Sequence, residues 1–168
     1  IKIKKNENNM KKKYLFITVI LVTISSLVAC SINYQKDKEE SNKKDMTLKS
    51  LEETKMEEEN RKIITNFYTA FQNGNGEEMG KQYHDEILFE DPAFGKLQGE
   101  RVKSMWKMLI LNSKGNIKIN FGNIQVNGNT GTAEWDAFYK FSLTGRDVHN
   151  KIKANFEFKD GLIYRHRD

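Results

Sequence analysis

The residues best suited to chemistry lie in two short runs, Phe89-Glu90-Asp91-Pro92-Ala93-Phe94-Gly95 and the terminal Tyr164-Arg165-His166-Arg167-Asp168. In the first, Ile87, Phe89 and Asp91 share one side of a short strand by alternation, and Pro92 stops it. Asp91 is thus a carboxylate delivered by a strand end into a hydrophobic loop. Phe89 and Phe94 supply surroundings in which a carboxyl resists ionisation and acts as a general base near neutral pH. In the second run Leu162, Tyr164, His166 and Asp168 fall on one strand face. Histidine takes up or gives up a proton near neutrality, so Asp91 and His166 are the candidate acid/base residues, with Asp168 on the strand face of His166. Each residue also has a structural reading. Asp91 before Pro92 closes a turn with its side chain, and His166 is a hydrogen-bonded core histidine.

The elements that must position these groups follow from periodicity. Ile63, Ile64, Phe67, Tyr68 and Phe71 recur at helical spacing, after a start predicted at Ser50 with Glu53 as a capping box. Asn73-Gly74-Asn75-Gly76 breaks that helix. A second, short helix carries Glu77 and Glu78 in its first turn, with Met79 and Tyr83 one turn apart. Gly99-Glu100 opens a third, whose Val102, Met105, Trp106, Leu109 and Ile110 form one apolar stripe ending at Asn112-Ser113-Lys114-Gly115. The period then becomes two. Ile117, Ile119 and Phe121 alternate; Asn127-Gly128 marks a hairpin; Ala133, Trp135, Ala137, Tyr139, Phe141 and Leu143 alternate; so do Val148, Ile152, Ala154, Phe156 and Phe158 before Asp160-Gly161 turns into a last strand. Helices followed by a strand meander form an α+β domain over residues 51–168. The last strand stops in mid-pattern, so further strand residues are expected beyond Asp168.

In order and spacing, several segments resemble the nuclear transport factor 2-like superfamily, which includes SnoaL-like polyketide cyclases and ketosteroid isomerases. They are Phe67-Tyr68, Asn73-Gly74-Asn75-Gly76, Tyr83-His84-Asp85-Glu86, Glu90-Asp91-Pro92, Gly99 before a helix, and the terminal Tyr164-Arg165-His166-Arg167-Asp168. The resemblance implies N-terminal helices packed in a strongly curved antiparallel sheet, a cone-like α+β barrel with a pocket between helix and sheet. It matches Asp91 to the isomerase residue that moves a proton next to a carbonyl. The isomerases' enolate donors have no counterpart, because Phe67 and Ala154 occupy their positions and Tyr68 is turned about 100° around the helix. Steroid isomerisation is therefore not expected. The SnoaL-like relatives use acid/base groups on the last strands, which points to His166 and Asp168. Phe67, Tyr68, Phe89, Phe94, Trp106 and Trp135 would line a pocket for a small apolar ligand, although both tryptophans also read as core. No cofactor and no metal site is implied. The family often dimerises through the open sheet face, so a homodimer is a possible assembly.

The N-terminal third reads differently. Residues 1–9 precede Met10, the plausible start, and are set aside as upstream sequence or a fragment boundary. Lys11-Lys12-Lys13, the apolar Tyr14 to Val28 and Leu27-Val28-Ala29-Cys30 match a bacterial lipoprotein signal over residues 10–29. The apolar stretch falls short of the roughly 18 residues that span a bilayer. Cys30, the sole cysteine, is expected to carry lipid and hold the protein at the cell envelope membrane. From residue 30 to 50 the chain is charged and polar, a solvated tether. The net charge of +5 suggests nucleic acid until it is located. Six of the 28 Lys and Arg and one of the 23 Asp and Glu precede Cys30, so the remainder carries equal numbers of both signs. Nucleic-acid binding needs clustered basic residues and is not expected.

Three function classes remain open on sequence: an acid/base enzyme, a binding module for a hydrophobic molecule, and an assembly domain.

Overall fold

A computed structural model describes the backbone of residues 2–141 and 144–168, and the side chains of 35, 36, 38–141 and 144–168. The lipobox and Cys30 therefore lie outside the residues whose side chains are described. Among those that are, no helix is long and apolar enough to cross a membrane. The chain divides into two units, Ile1–Ser50 and Leu51–Asp168. In the first, the predicted cap at Ser50 does not form. Helix α1 is continuous over Lys2–Gln72, and the Ser50 hydroxyl instead donates to the Thr47 carbonyl at 2.9 Å within it.

The second unit holds the last turns of α1, α2 (Gly76–Lys81), β1 (Tyr83–Asp91), β2 (Gly95–Gln98), α3 (Glu100–Ser113), β3 (Ile117–Asn127), β4 (Thr130–Lys140), β5 (Asp147–Lys159) and β6 (Leu162–Arg167). One curved six-stranded sheet has the order β2-β1-β6-β5-β4-β3. Every neighbouring pair is antiparallel except β1 and β6, which run parallel. That exception brings the ends of β1 and β6, and so both sequence runs of interest, to the same end of the sheet. The short edge strand β2 follows a turn that sequence periodicity does not resolve.

α1 lies against the sheet because its apolar stripe and its polar flank agree. Ile64, Phe67, Tyr68 and Phe71 are buried, each worth roughly 1.5–3 kcal/mol if fully withdrawn from water. Along the flank, the Asn60 amide donates to the Gly128 carbonyl at 3.0 Å, Glu57 accepts the Gly128 amide at 2.8 Å, and Gln72 donates to the Ile119 carbonyl at 2.9 Å. These strap the helix to both ends of the β3–β4 hairpin. Gly131 allows the closest approach, since a Cβ there would sit 2.9 Å from Ile64 Cδ1.

α3 buries Val102, Met105 and Trp106, as its stripe predicts. It ends where Lys114 turns left-handed at φ 48°. The Asp160-Gly161 turn has both residues at positive φ, the conformation that suits a two-residue hairpin. β4 stops at Lys140, Phe141 is exposed, and Leu143 lies outside the described residues.

Two parities differ from simple alternation. Tyr83 is the first residue of β1 and is buried, not the end of the second helix. In β6 the core-facing residues are Ile163 and His166, while Tyr164 and Leu162 are half-exposed. The β5 partners explain it. Phe156 is opposite His166 and Phe158 opposite Ile163, so two steps on β5 match three on β6. One extra residue, a β-bulge, moves a side chain to the other face.

Candidate functional site

Inside the cone, four elements deliver polar side chains into an aromatic interior. The start of β1 supplies Tyr83, α3 supplies Trp106, β4 supplies Trp135, and β6 supplies His166, with Asp168 one residue beyond its end. They form one hydrogen-bonded run. The Trp106 indole donates to Tyr83 Oη at 2.9 Å, Tyr83 Oη lies 2.7 Å from His166 Nδ1, His166 Nε2 lies 3.0 Å from Asp168 Oδ1, and the Trp135 indole donates to that oxygen at 3.1 Å.

The donor inventory sets its direction. Indoles only donate and an ionised carboxylate only accepts. His166 therefore donates from Nε2 to Asp168, and a neutral ring leaves Nδ1 to accept the Tyr83 hydroxyl proton. This tautomer satisfies every member of the run at once.

The surroundings are closed almost throughout. His166 is 1% exposed, with the Phe156, Phe89 and Phe67 ring centroids 4.5, 5.2 and 5.4 Å away and the Trp106 ring stacked at 6.1 Å. The Asp168 side chain keeps 7% of its surface and Trp135 keeps 8%, so only a small part of the carboxylate end reaches the surface. Burial pushes the Tyr83 and Tyr68 hydroxyls well above the ordinary tyrosine range, and the nearby Asp168 carboxylate adds to the effect. Both phenols are held neutral, as donors.

Asp91 stands apart from this run. It is half-buried, one residue beyond the Glu90–Arg167 pair and therefore level with Asp168 on the neighbouring strand. Its Oδ1 accepts the Phe94 amide at 2.5 Å, which closes the β1–β2 turn. No hydrogen bond or ring contact joins it to His166 among the described residues. The structure brings His166 and Asp168 together with Trp106 and Trp135, and packs Phe67, Tyr68 and Phe89 around them. Phe94 lies on the turn, 37% exposed.

Tyr83 is the member that sequence reasoning does not assign to the site. It shares its parity with Ile87 and Phe89, so extending the strand back four residues from Ile87 identifies it. The short α2 pattern, with Met79 four residues before it, competes for the same residue.

Two clefts flank the domain, and neither includes Tyr68, Trp135 or Asp168. One, about 250 Å3, lies between the end of α1 and α2 and is lined mainly by Asn and other polar residues. The other, about 360 Å3, covers β2, β1, β6 and β5. Register places Leu88, Arg165 and Glu157 in one row and Glu90, Arg167 and Asn155 in the next, both on the face opposite His166. Arg165–Glu157 at 3.5 Å and Arg167–Glu90 at 3.3 Å neutralise much of its charge. Metal-binding groups of three or more His, Cys, Asp or Glu are absent among the described residues.

A strongly curved, unclosed six-stranded sheet wrapped over N-terminal helices defines a cone-like α+β fold. A profile of the SnoaL-like domain family matches residues 64–166, and the chain belongs to that family. No curated protein matches it significantly. Solved structures share the fold at low identity. A LEH-like epoxide hydrolase from M. tuberculosis is 19% identical with a TM-score of 0.54, over 66% of this chain and 80% of that one. A SnoaL-like protein from Jannaschia sp. CCS1 is 11% identical with a TM-score of 0.57, over 67% and 85%. TerC, crystallised with polyporic acid, is 15% identical with a TM-score of 0.56, over 66% and 89%.

Proposed function

We propose that this is a membrane-tethered SnoaL-like domain that binds a small, largely apolar molecule and performs cofactor-free acid/base chemistry on it, of isomerase, cyclase or dehydratase type. The observation that carries the reading is the run from Tyr83 through His166 to Asp168. A carboxylate fixed by two N–H donors on one oxygen presents the other as a base of defined direction, and positioned general bases contribute roughly 10²–10⁴-fold to rate. Asp168 takes the proton of a C–H bond next to a carbonyl, the bond's electron pair passes into the enolate, and the same carboxyl returns a proton. His166 acts as a positioning residue through Asp168. Asp91 holds the β1–β2 turn through the Phe94 amide. Membership of a family whose fold relatives include an epoxide hydrolase supports a pocket role.

Hydrogen–deuterium exchange at the α-carbon of 2-tetralone, a bicyclic ketone, tests this in D2O by NMR. Wild-type protein should accelerate exchange, and Asp168→Asn should lose about 100-fold or more of that acceleration. The packing of rings around His166 favours a second reading, a non-catalytic binding or dimerising module. Binding of 2-tetralone without accelerated exchange would select it, and no binding at all would remove the apolar-ligand reading.

Tethering is the other half of the proposal, and its support is the tribasic start, the apolar stretch and Leu27-Val28-Ala29-Cys30. In bacterial cells, Cys30→Ala should abolish incorporation of labelled palmitate into the full chain. Label retained at wild-type level would exclude lipidation at Cys30.

A further inference from the structure

The strands that carry the hydrogen-bonded run inward carry charges on their other side. On the face opposite His166, the cleft of about 360 Å3 over β2, β1, β6 and β5 holds three cations, Lys96, Arg165 and Arg167, against two carboxylates, Glu90 and Glu157. Small-molecule sites begin at roughly 300 Å3. Register explains why one positive charge is left over. Glu90 has Lys96 opposite it on β2 and Arg167 opposite it on β6, and its carboxylate turns to Arg167, whose Nη2 lies 3.3 Å from Oε2. Lys96 is left without an ion pair among the described residues. The Arg165–Glu157 contact is 3.5 Å. Both distances exceed the roughly 2.7–2.9 Å of a charge-assisted hydrogen bond, so the guanidinium donors are only loosely held. Apolar surface lies among these charges, because Leu88 is half-buried and directly opposite Arg165.

We infer that this cleft is a binding site, separate from the interior run, for a small organic monocarboxylate with an apolar body. The carboxylate joins Arg167 and Lys96, and the body lies on Leu88. Carboxylate is the anion that the arginine fork meets with two parallel hydrogen bonds, and one negative charge matches the one positive charge left over. A cationic ligand finds only carboxylates that arginines already face. A neutral one leaves Lys96 uncompensated. The groups stand on paired strands, with Arg165 and Arg167 on one face of β6 and Glu90 beside Arg167 on β1, so their spacing is set by the sheet and not by a loop. Glu90 competes with the ligand for Arg167. Removing its charge should therefore strengthen binding, the opposite of what loss of a merely structural ion pair would do.

Titration of the intact chain with 4-fluorophenylacetate, 4-fluorophenylacetamide and 4-fluorophenethylamine, followed by 19F NMR, varies charge at nearly constant size. The carboxylate should bind about tenfold or more tightly than the amide, and the amine more weakly than either. Added salt should narrow the difference, because the charges are exposed. In Arg167→Gln the carboxylate should fall to within about twofold of the amide. In Glu90→Gln it should bind about threefold or more tightly than to wild type, with the amide unchanged. Surface substitutions of this kind change stability little, so both variants remain testable. Equal binding of carboxylate and amide by wild type, or binding of neither, would overturn the inference. So would a preference that survives Arg167→Gln or weakens in Glu90→Gln. Displacement of the probe by an equal concentration of inorganic phosphate would overturn it as well, since phosphate offers charge without an apolar body. These outcomes are independent of the interior run, which exchange of 2-tetralone decides.

Discussion

Replacing His166 by leucine should destabilise the domain by about 3–5 kcal/mol, the range for breaking a buried hydrogen-bonded charge partner. Leucine preserves bulk and apolarity, so the loss reports hydrogen bonding more than cavity formation. The Tyr83 hydroxyl, 2.7 Å from Nδ1, would keep a proton with no acceptor. Asp168 Oδ1 would lose the donor at 3.0 Å and keep only the Trp135 indole. Neither orphan can turn to water, because Tyr83 is buried and Asp168 is nearly so. Stacking on Trp106 and the contacts to Phe156, Phe89 and Phe67 would be replaced by aliphatic ones. Urea unfolding followed by tryptophan fluorescence measures the difference directly. A loss below about 1 kcal/mol, the net value of one ordinary hydrogen bond, would show that the run contributes no more than its weakest member.

The second large effect is loss of stability at alkaline pH. Tyr68 and Tyr83 are buried and their hydroxyls are held neutral by desolvation first and by the Asp168 carboxylate second. In the unfolded chain they ionise near pH 10. Below that value both states bind the same protons, and the contribution to stability is fully present. Above it the unfolded state releases protons that the folded state keeps. Stability then falls by about 1.4 kcal/mol per pH unit for each tyrosine, until the raised folded-state values are reached. Exposed lysines also titrate in this range, so the informative quantity is the difference between wild type and Tyr68→Phe. Between pH 10 and 11.5 the slope of unfolding free energy against pH should be shallower in the variant by about 1.4 kcal/mol per unit. Identical slopes would mean that Tyr68 ionises in the folded state as it does in water.

Taken together, these expectations place the weight of the site on Asp168 and its partners, with Asp91 at the turn. The two carboxylates illustrate how alternation and neighbours share the decision. Parity puts Asp91 on the inward side after Ile87 and Phe89, yet its free carboxylate lies within reach of the Phe94 amide three residues on. A local hydrogen bond of this kind forms with little loss of chain entropy and competes with any longer-range partner. Asp168 has the Trp135 and His166 donors instead, brought from β4 and from its own strand.

The amino-acid sequence by itself determined the helical stripes of α1 and α3, the β3–β4 and β5–β6 hairpins, the buried faces of β4 and β5, and the placement of His166 and Asp168 near one another. Each depends on residues a few positions apart, where side-chain period and turn chemistry act locally. Only the tertiary structure decided which groups share hydrogen bonds. The Tyr83–His166 bond links residues 83 positions apart, and it needs the parallel β1–β6 pairing and a bulge in β6 that turns Ile163, in place of Tyr164, inward. Neither leaves a periodic trace in the chain. A bulge adds one residue without changing composition, and strand pairing is settled by how the whole sheet curves around α1. The Tyr68 hydroxyl, unpartnered among the described residues, belongs to the same class of fact, because whether a buried donor is satisfied depends on every element that closes around it.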